Sequence, residues 1–207
     1  METLALPTNG AEWIAGLGIP SWDAYFMGLV FLVAMRSPDQ ETKQGCVIAD
    51  WDSKLVMGTG YNGFPRGSVE AEYILPLEDR RVMMGLPTKR PDKYFCMVHA
   101  DSNACVNCRG TSDNAVAYLP MPPCEVCLGI MANMAQVKIR RIVYLEERTF
   151  PNTQRLLNHL PHIKLEKYTG PNPSDVLIQA AQYAQLRTTK GAELSLGSTK
   201  SYTGSAA

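Results

Sequence analysis

The sequence predicts an α/β fold built on a mixed sheet, and three observations carry that prediction. Two short β-prone runs, 44–50 and 54–61, flank the turn Trp51-Asp52-Ser53 as a hairpin does. Strand-like and helix-like segments then alternate from 99 to 168. Finally, 207 residues with 45% hydrophobic content suffice for the core of one medium-sized domain and not two. The hairpin pairs antiparallel, whereas the alternating units pair parallel through right-handed crossovers.

The elements follow in order. Residues 1–20, with Pro7, Gly10, Gly16, Gly18 and Pro20, read as a lead-in. Ser21 caps a helix in which Trp22, Tyr25, Phe26, Leu29, Val30 and Val33 recur at helical spacing until Ser37-Pro38 stops it. Its near-continuous apolarity implies a core helix buried on more than one side. After the hairpin, a long Pro- and Gly-punctuated connection runs to Lys93, with a short helix expected over 78–85. The alternating part gives a helix over 99–109, a strand over 115–121 and a helix over 124–136. A strand over 141–147, a helix over 153–160 and a strand over 163–168 complete it. The Met and Leu stripe of 128–134 reads as core packing. Gly170, Pro171 and Pro173 mark a boundary, 174–187 suits a last helix, and 188–207 lacks core-forming residues and reads as disordered.

Charge and cysteine usage narrow the function. Lys+Arg 20 balance Asp+Glu 20, so no global positive field draws in a polynucleotide, and a small ligand is the expected partner. Residues 1–15 carry no basic leader region, and the longest uncharged apolar run, 24–35, is too short to span a bilayer. A cytoplasmic protein with no membrane partner is therefore expected. In that reducing setting the six cysteines, Cys46, Cys96, Cys105, Cys108, Cys124 and Cys127, point to metal rather than disulfides.

Two arrangements compete for that metal. Cys105-x2-Cys108 with Cys124-x2-Cys127 has the spacing of a four-cysteine structural zinc site, and would make the chain a non-catalytic zinc module. His99-Ala100-Asp101 with Pro123-Cys124-x2-Cys127 offers instead three ligands, a carboxylate and one open zinc position for water. Context favours the second. Cys105 and Cys108 fall inside a helix-like stretch, whereas His99 and Cys124 each stand where a β-type segment gives way to a helix. There the side chains converge and the helix dipoles favour thiolate. A metal-activated water beside an acid suits hydrolytic removal of an amino group from a C=N ring, and Asp101 is the carboxylate placed to carry the proton.

On these residues the chain resembles the zinc-dependent cytidine and deoxycytidylate deaminase superfamily, whose motifs are His-Ala-Glu and Pro-Cys-x-x-Cys, and within it the dCMP deaminases. Further segments carry the resemblance: 22–37, 58-GTGYNGFP-65, the Ala and Asn of 99-HADSNA-104, and the helix from Cys124 into 141-RIVY-144. It covers about Ser21 to Tyr168, so 21–169 is expected to be the deaminase domain and 170–207 a helix and tail. The resemblance implies a three-layer α/β/α fold on a five-stranded mixed sheet of order 2-1-3-4-5. It implies one zinc per chain on His99, Cys124 and Cys127, a base held by the backbone N–H of Ala100, and a deoxyribose held by Asn62. It also implies a homo-oligomer, a hexamer in many members, and conversion of dCMP to dUMP for thymidylate synthesis. Activation by dCTP and inhibition by dTTP follow from it too, at a second nucleotide site involving Gly60, Tyr61, Asn62 and Gly63, with Mg2+ accompanying the triphosphates and arginines of the insert, Arg66, Arg80 and Arg81, contributing charge.

The departures matter equally. Asp101 replaces the family's Glu and draws the carboxylate back by one methylene; a misplacement of about 1 Å costs roughly 100-fold in rate, so reduced activity is expected. Arg148 stands after the fourth strand where relatives direct a Tyr at the nucleotide phosphate, and binds it by charge instead. Arg36 and Ser37 are further phosphate candidates. Residues 63–95 contain neither His nor Cys, which leaves no second structural zinc there. The enzyme alternatives are relatives acting on a free nucleoside, a tRNA adenosine or a riboflavin precursor, and neutral charge argues against tRNA.

Overall fold

The computed structural model describes residues 18–39, 41–65 and 97–198. The helix expected over 78–85, Arg66, Arg80, Arg81, Cys96 and the two terminal stretches 1–17 and 199–207 lie outside the described residues. Helix α1 (Trp22–Ala34) starts where Ser21 Oγ accepts the N–H of Ala24 at 3.2 Å. Strands β1 (Gly45–Asp50) and β2 (Val56–Tyr61) form the hairpin. The second strand begins at Val56 rather than 54 because Lys54, at φ 62°, closes the turn in the left-handed region.

Helix α2 (Ala100–Asn107), strand β3 (Ser112–Leu119) and helix α3 (Glu125–Ala132) come next. Strand β4 (Val137–Tyr144), helix α4 (Pro151–Leu157), strand β5 (Lys164–Lys167) and helix α5 (Pro173–Ser198) finish the chain. Two boundaries differ from expectation for one reason. In β4 the inward Val137 and Ile139 alternate with the outward Lys138 and Arg140, a period of two that the charges mask. Helix α3 therefore ends at Ala132, and the strand starts at Val137 rather than 141. Residues 188–198, read as disordered from their composition, instead continue α5 to Ser198.

The sheet order is β2-β1-β3-β4-β5, as the family resemblance implies, antiparallel through β1 and parallel from β3 to β5. Its two faces bury separate cores. Cys46, Ile48, Ala115, Ala117 and Leu119 face α2 and α3 and pack with Ala104, Leu128 and Met131. Val47, Ala49, Val116 and Tyr118 face α1 and pack with Phe26, Met27 and Val30. Helix α5 lies against α1, where Val176 approaches Gly28. Three layers result, helices over sheet over helices. On the α1 side Tyr118 donates to Asp23 at 2.6 Å, and Arg141 bridges Asp23 at 3.2 Å and Glu166 at 2.9 Å, tying α1 to three strands. Among the described residues no helix is long and apolar enough to cross a membrane.

Candidate active site

Two helix N-termini meet above the sheet. His99 is the N-cap of α2 and Cys124 the N-cap of α3, both with extended backbone, and neither spends its side chain on capping. Each side chain is therefore available to the other. His99 Nδ1 lies 3.6 Å from Cys124 Sγ and 3.4 Å from Cys127 Sγ, which follows one turn into α3. The three donor atoms all lie within 4.8 Å of one another, the one such group found among the described residues. A tetrahedral zinc with its usual bond lengths sets N···S edges of roughly 3.6 Å, so the donor set and its spacing fit that ion.

Electrostatics agree with geometry. The neighbouring Cys127 thiol and then His99 hold the Cys124 thiol down to about 4. Cys127 is pushed up by the same pairing with Cys124 and by burial, so the two sulfurs together carry one negative charge. His99 is raised by its hydrogen bond to Cys124. A cluster that stabilises an imidazolium between sulfurs equally favours a divalent cation.

Asp101 stands in the first turn of α2, 6% exposed, with one carboxylate oxygen accepting the N–H of Ser102 at 3.0 Å. Burial raises its pKa, opposed by hydrogen bonding with Cys127 and by the charge of His99. Two of the three donors and the acid border one cavity of about 260 Å³, lined by His99, Ala100, Asp101 and Cys124 on the helix side. Asn62 and Arg148 line its rim, so the structure gathers six of the sequence-predicted site residues around a single space, with Cys127 just behind Cys124.

Other expectations land elsewhere. Ser37 is buried, donating to the Asn62 carbonyl at 2.8 Å and accepting from the N–H of Asp39, which makes it a support beneath Asn62. Neither it nor Arg36 borders the cavity. Gly60 and Tyr61 belong to β2, as the run 54–61 predicts, and a Cβ on Gly60 would come within 2.2 Å of the backbone of Ala100 and Ala104. That glycine lets α2 lie against the strand and presents nothing to a ligand. Gly63 is buried and bridges to Val98. Asn62 Oδ1 accepts from Gln44 N at 2.8 Å, and its Nδ2 donates to the Thr42 carbonyl at 2.9 Å, leaving one N–H for any sugar. Cys105 ends inside α2 and Cys108 caps it, both half-buried thiols raised by burial, Cys105 to about 12.

Several contributors escaped the sequence reading. Asn103 and Asn107, one helical turn apart, donate to the carbonyls of Tyr61 and Thr59 at 2.8 Å each and stitch α2 to the edge strand. Buried Thr153 donates to the Pro123 carbonyl at 2.9 Å and so fixes the residue before Cys124 from α4. Met121 and Phe150 wall the cavity, and Arg148 lies across both, 5.1 Å over the Phe150 ring and 3.5 Å from the Met121 sulfur. The nearness of Met121 to the second motif and the place of Asn103 within 99-HADSNA-104 are the signals the sequence carried for these roles.

A metal-ligating triad on two helix N-termini, with a buried acid beside it and a five-stranded mixed sheet below, defines a deaminase-type hydrolase acting on a cyclic amidine. Residues 20–146 match the model of the cytidine and deoxycytidylate deaminase zinc-binding region, and the chain belongs to that family. Deoxycytidylate deaminase of Mus musculus is 31% identical over 163 residues, covering 76% of this chain and 84% of that protein. The Homo sapiens deoxycytidylate deaminase is 30% identical over 162 residues, with the same coverage. The crystal structure of dCMP deaminase from the cyanophage S-TIM5 in complex with dCMP and dUMP superposes with a TM-score of 0.53 at 20% identity, covering 73% of this chain and all of that one, which establishes the shared fold.

Proposed function

We propose that the chain is a dCMP deaminase, hydrolysing dCMP to dUMP and ammonia. The observation that carries this is the cluster of His99, Cys124 and Cys127 beside buried Asp101, opening onto one cavity that His99, Asp101 and Cys124 line together with a cationic side chain, Arg148. The curated relatives named above support the choice of substrate. His99, Cys124 and Cys127 would hold one zinc ion, which supplies a Lewis acid able to make water nucleophilic near neutral pH. Asp101 takes a proton from the attacking water as the new C–O bond forms at C4 and delivers it to the ring nitrogen; it then takes the second proton from the added hydroxyl and passes it to the exocyclic amine, whose bond to C4 breaks as the C4 carbonyl forms and ammonia leaves. Burial raises its pKa above the ordinary carboxylate value, the direction that makes a carboxylate a better proton acceptor. The Ala100 N–H, at the first helical position of α2, is free of an intrahelical partner and is directed to the base. The remaining N–H of Asn62 reaches the sugar, and Arg148 takes the phosphate.

The rest of this reading extends the same site. The deaminase domain comprises 21–169, with α5 appended, and assembles into a homo-oligomer, a hexamer, in the cytosol. Regulation by dCTP and dTTP with Mg2+ belongs to it as well; since Gly60 and Gly63 are buried, an effector would meet this stretch at half-buried Tyr61. Ammonia release from dCMP, dCTP, deoxycytidine and CMP tests the proposal. The highest kcat/KM belongs to dCMP, and loss of that preference in Arg148→Ala ties the phosphate to Arg148. A better rate on deoxycytidine or CMP would overturn the substrate assignment.

A further inference from the structure

We propose that Ser102 is a positioning residue for the metal centre, its hydroxyl donating a hydrogen bond to the Cys127 sulfur and setting how much charge that sulfur gives the ion. The inference rests on the zinc site argued above. Ser102 Oγ lies 3.2 Å from Cys127 Sγ, with Ser102 9% exposed and Cys127 2% exposed, so the contact is shielded from bulk water. It spans the two helices that carry the ligands, from the first turn of α2 to the first turn of α3.

The hydroxyl reaches across because its local option is taken. A serine in a helix commonly bonds back to the carbonyl four residues earlier. Here that residue, Val98, precedes the N-cap and lies outside the helix, with its carbonyl turned to the N–H of Gly63 at 3.1 Å. The direction of the bond follows from chemistry, since a thiolate that ligates a cation has only lone pairs to offer, and the serine must donate. A donated hydrogen bond lowers the energy of the sulfur lone pairs, reduces charge transfer to the ion and leaves the ion a stronger Lewis acid. It also fixes the Cys127 rotamer from the opposite helix.

Cobalt(II) reports this directly, because its sulfur-to-metal charge-transfer band follows the energy of the thiolate lone pairs. The chain is stripped of metal and loaded with cobalt alone as wild type, Ser102→Ala and Ser102→Thr. In the Ala variant the band moves to longer wavelength and zinc is lost to a chelator about tenfold more readily. The Thr variant, which keeps the hydroxyl, holds the wild-type band. Alanine favours the helix, so the fold is retained, as a circular-dichroism melt checks; should that variant not fold, Ser102→Gly removes the same hydroxyl and is read in its place. An unshifted band in the hydroxyl-free variant overturns the inference whatever the zinc retention, and so does a Thr variant that shifts as far as Ala. Wild type that takes up no cobalt refutes the metal site itself, which separates that failure from a failure of the Ser102 assignment.

Discussion

The two Cys-x2-Cys stretches have the same spacing and opposite fates. Cys124 and Cys127 open helix α3, at its positive end and facing an imidazole, and Cys124 is held near 4. Cys105 and Cys108 close helix α2, at its negative end and against the sheet, where burial drives Cys105 to about 12. Spacing therefore says which sulfurs can share an ion, and the surroundings, a second sulfur and an imidazole in one case and plain burial in the other, say which one is held as thiolate. The four-cysteine zinc module fails on this point, because the first pair stands outside the cluster that the second forms with His99.

The largest expected effect breaks the comparison at its centre. Cys124→Ala or His99→Ala abolishes zinc retention and lowers turnover on the order of 1,000-fold or more, whereas the double change Cys105→Ser with Cys108→Ser keeps both. Metal analysis with the ammonia assay reads the two outcomes side by side. Next comes the acid on the shared helix. Asp101→Asn lowers kcat by roughly 100- to 10,000-fold with zinc unchanged, and Asp101→Glu raises kcat by about ten- to a hundredfold if the missing methylene is the principal defect. A Glu variant no faster than wild type would mean that the backbone already compensates for the shorter side chain.

A third experiment compares the thiols themselves. In chelated protein at pH 7, a thiol at about 12 is ionised to only about one part in 100,000, while one at about 4 is almost wholly thiolate. Iodoacetamide followed by peptide mapping should label Cys124 from pH 6 upward and Cys105 only as the pH climbs toward 12. Equal labelling at pH 7 would erase the distinction. The smallest effect lies behind the reactive pair. Thr153→Val removes the buried bond to Pro123 and costs about 1–2 kcal/mol, seen as a melting midpoint lower by roughly 2–8 °C with zinc still bound.

The fold was largely legible because its signals are local. Alternation in 44–61 and 115–168 marks the strands, and the zinc triad is readable because His99 and Cys124 sit on capping positions, with Cys127 one turn further on, that sequence patterns reveal. What escaped depends on pairings between distant segments. Gly60 reads as one strand residue among others until α2 is placed on it, and nothing in the local sequence shows that Thr42 and Gln44 hold the amide of Asn62 with one N–H to spare. Ser37 likewise carries the phosphate-binding residue type but is folded beneath Asn62. Helix α5 outran its expected end because composition alone gives weak notice of a helix that continues without core residues.

The bare positions of β2 have one more consequence. A Cβ on Gly58 would meet the Ala104 carbonyl at 2.7 Å, as one on Gly60 would meet Ala100 and Ala104, and the two asparagine stitches hold α2 at that close range. The position of His99 is thus inherited from packing that has no stake in the ion. Chelating the metal is therefore expected to leave the backbone of α2 in place against β2, which far-ultraviolet circular dichroism of the stripped chain would check.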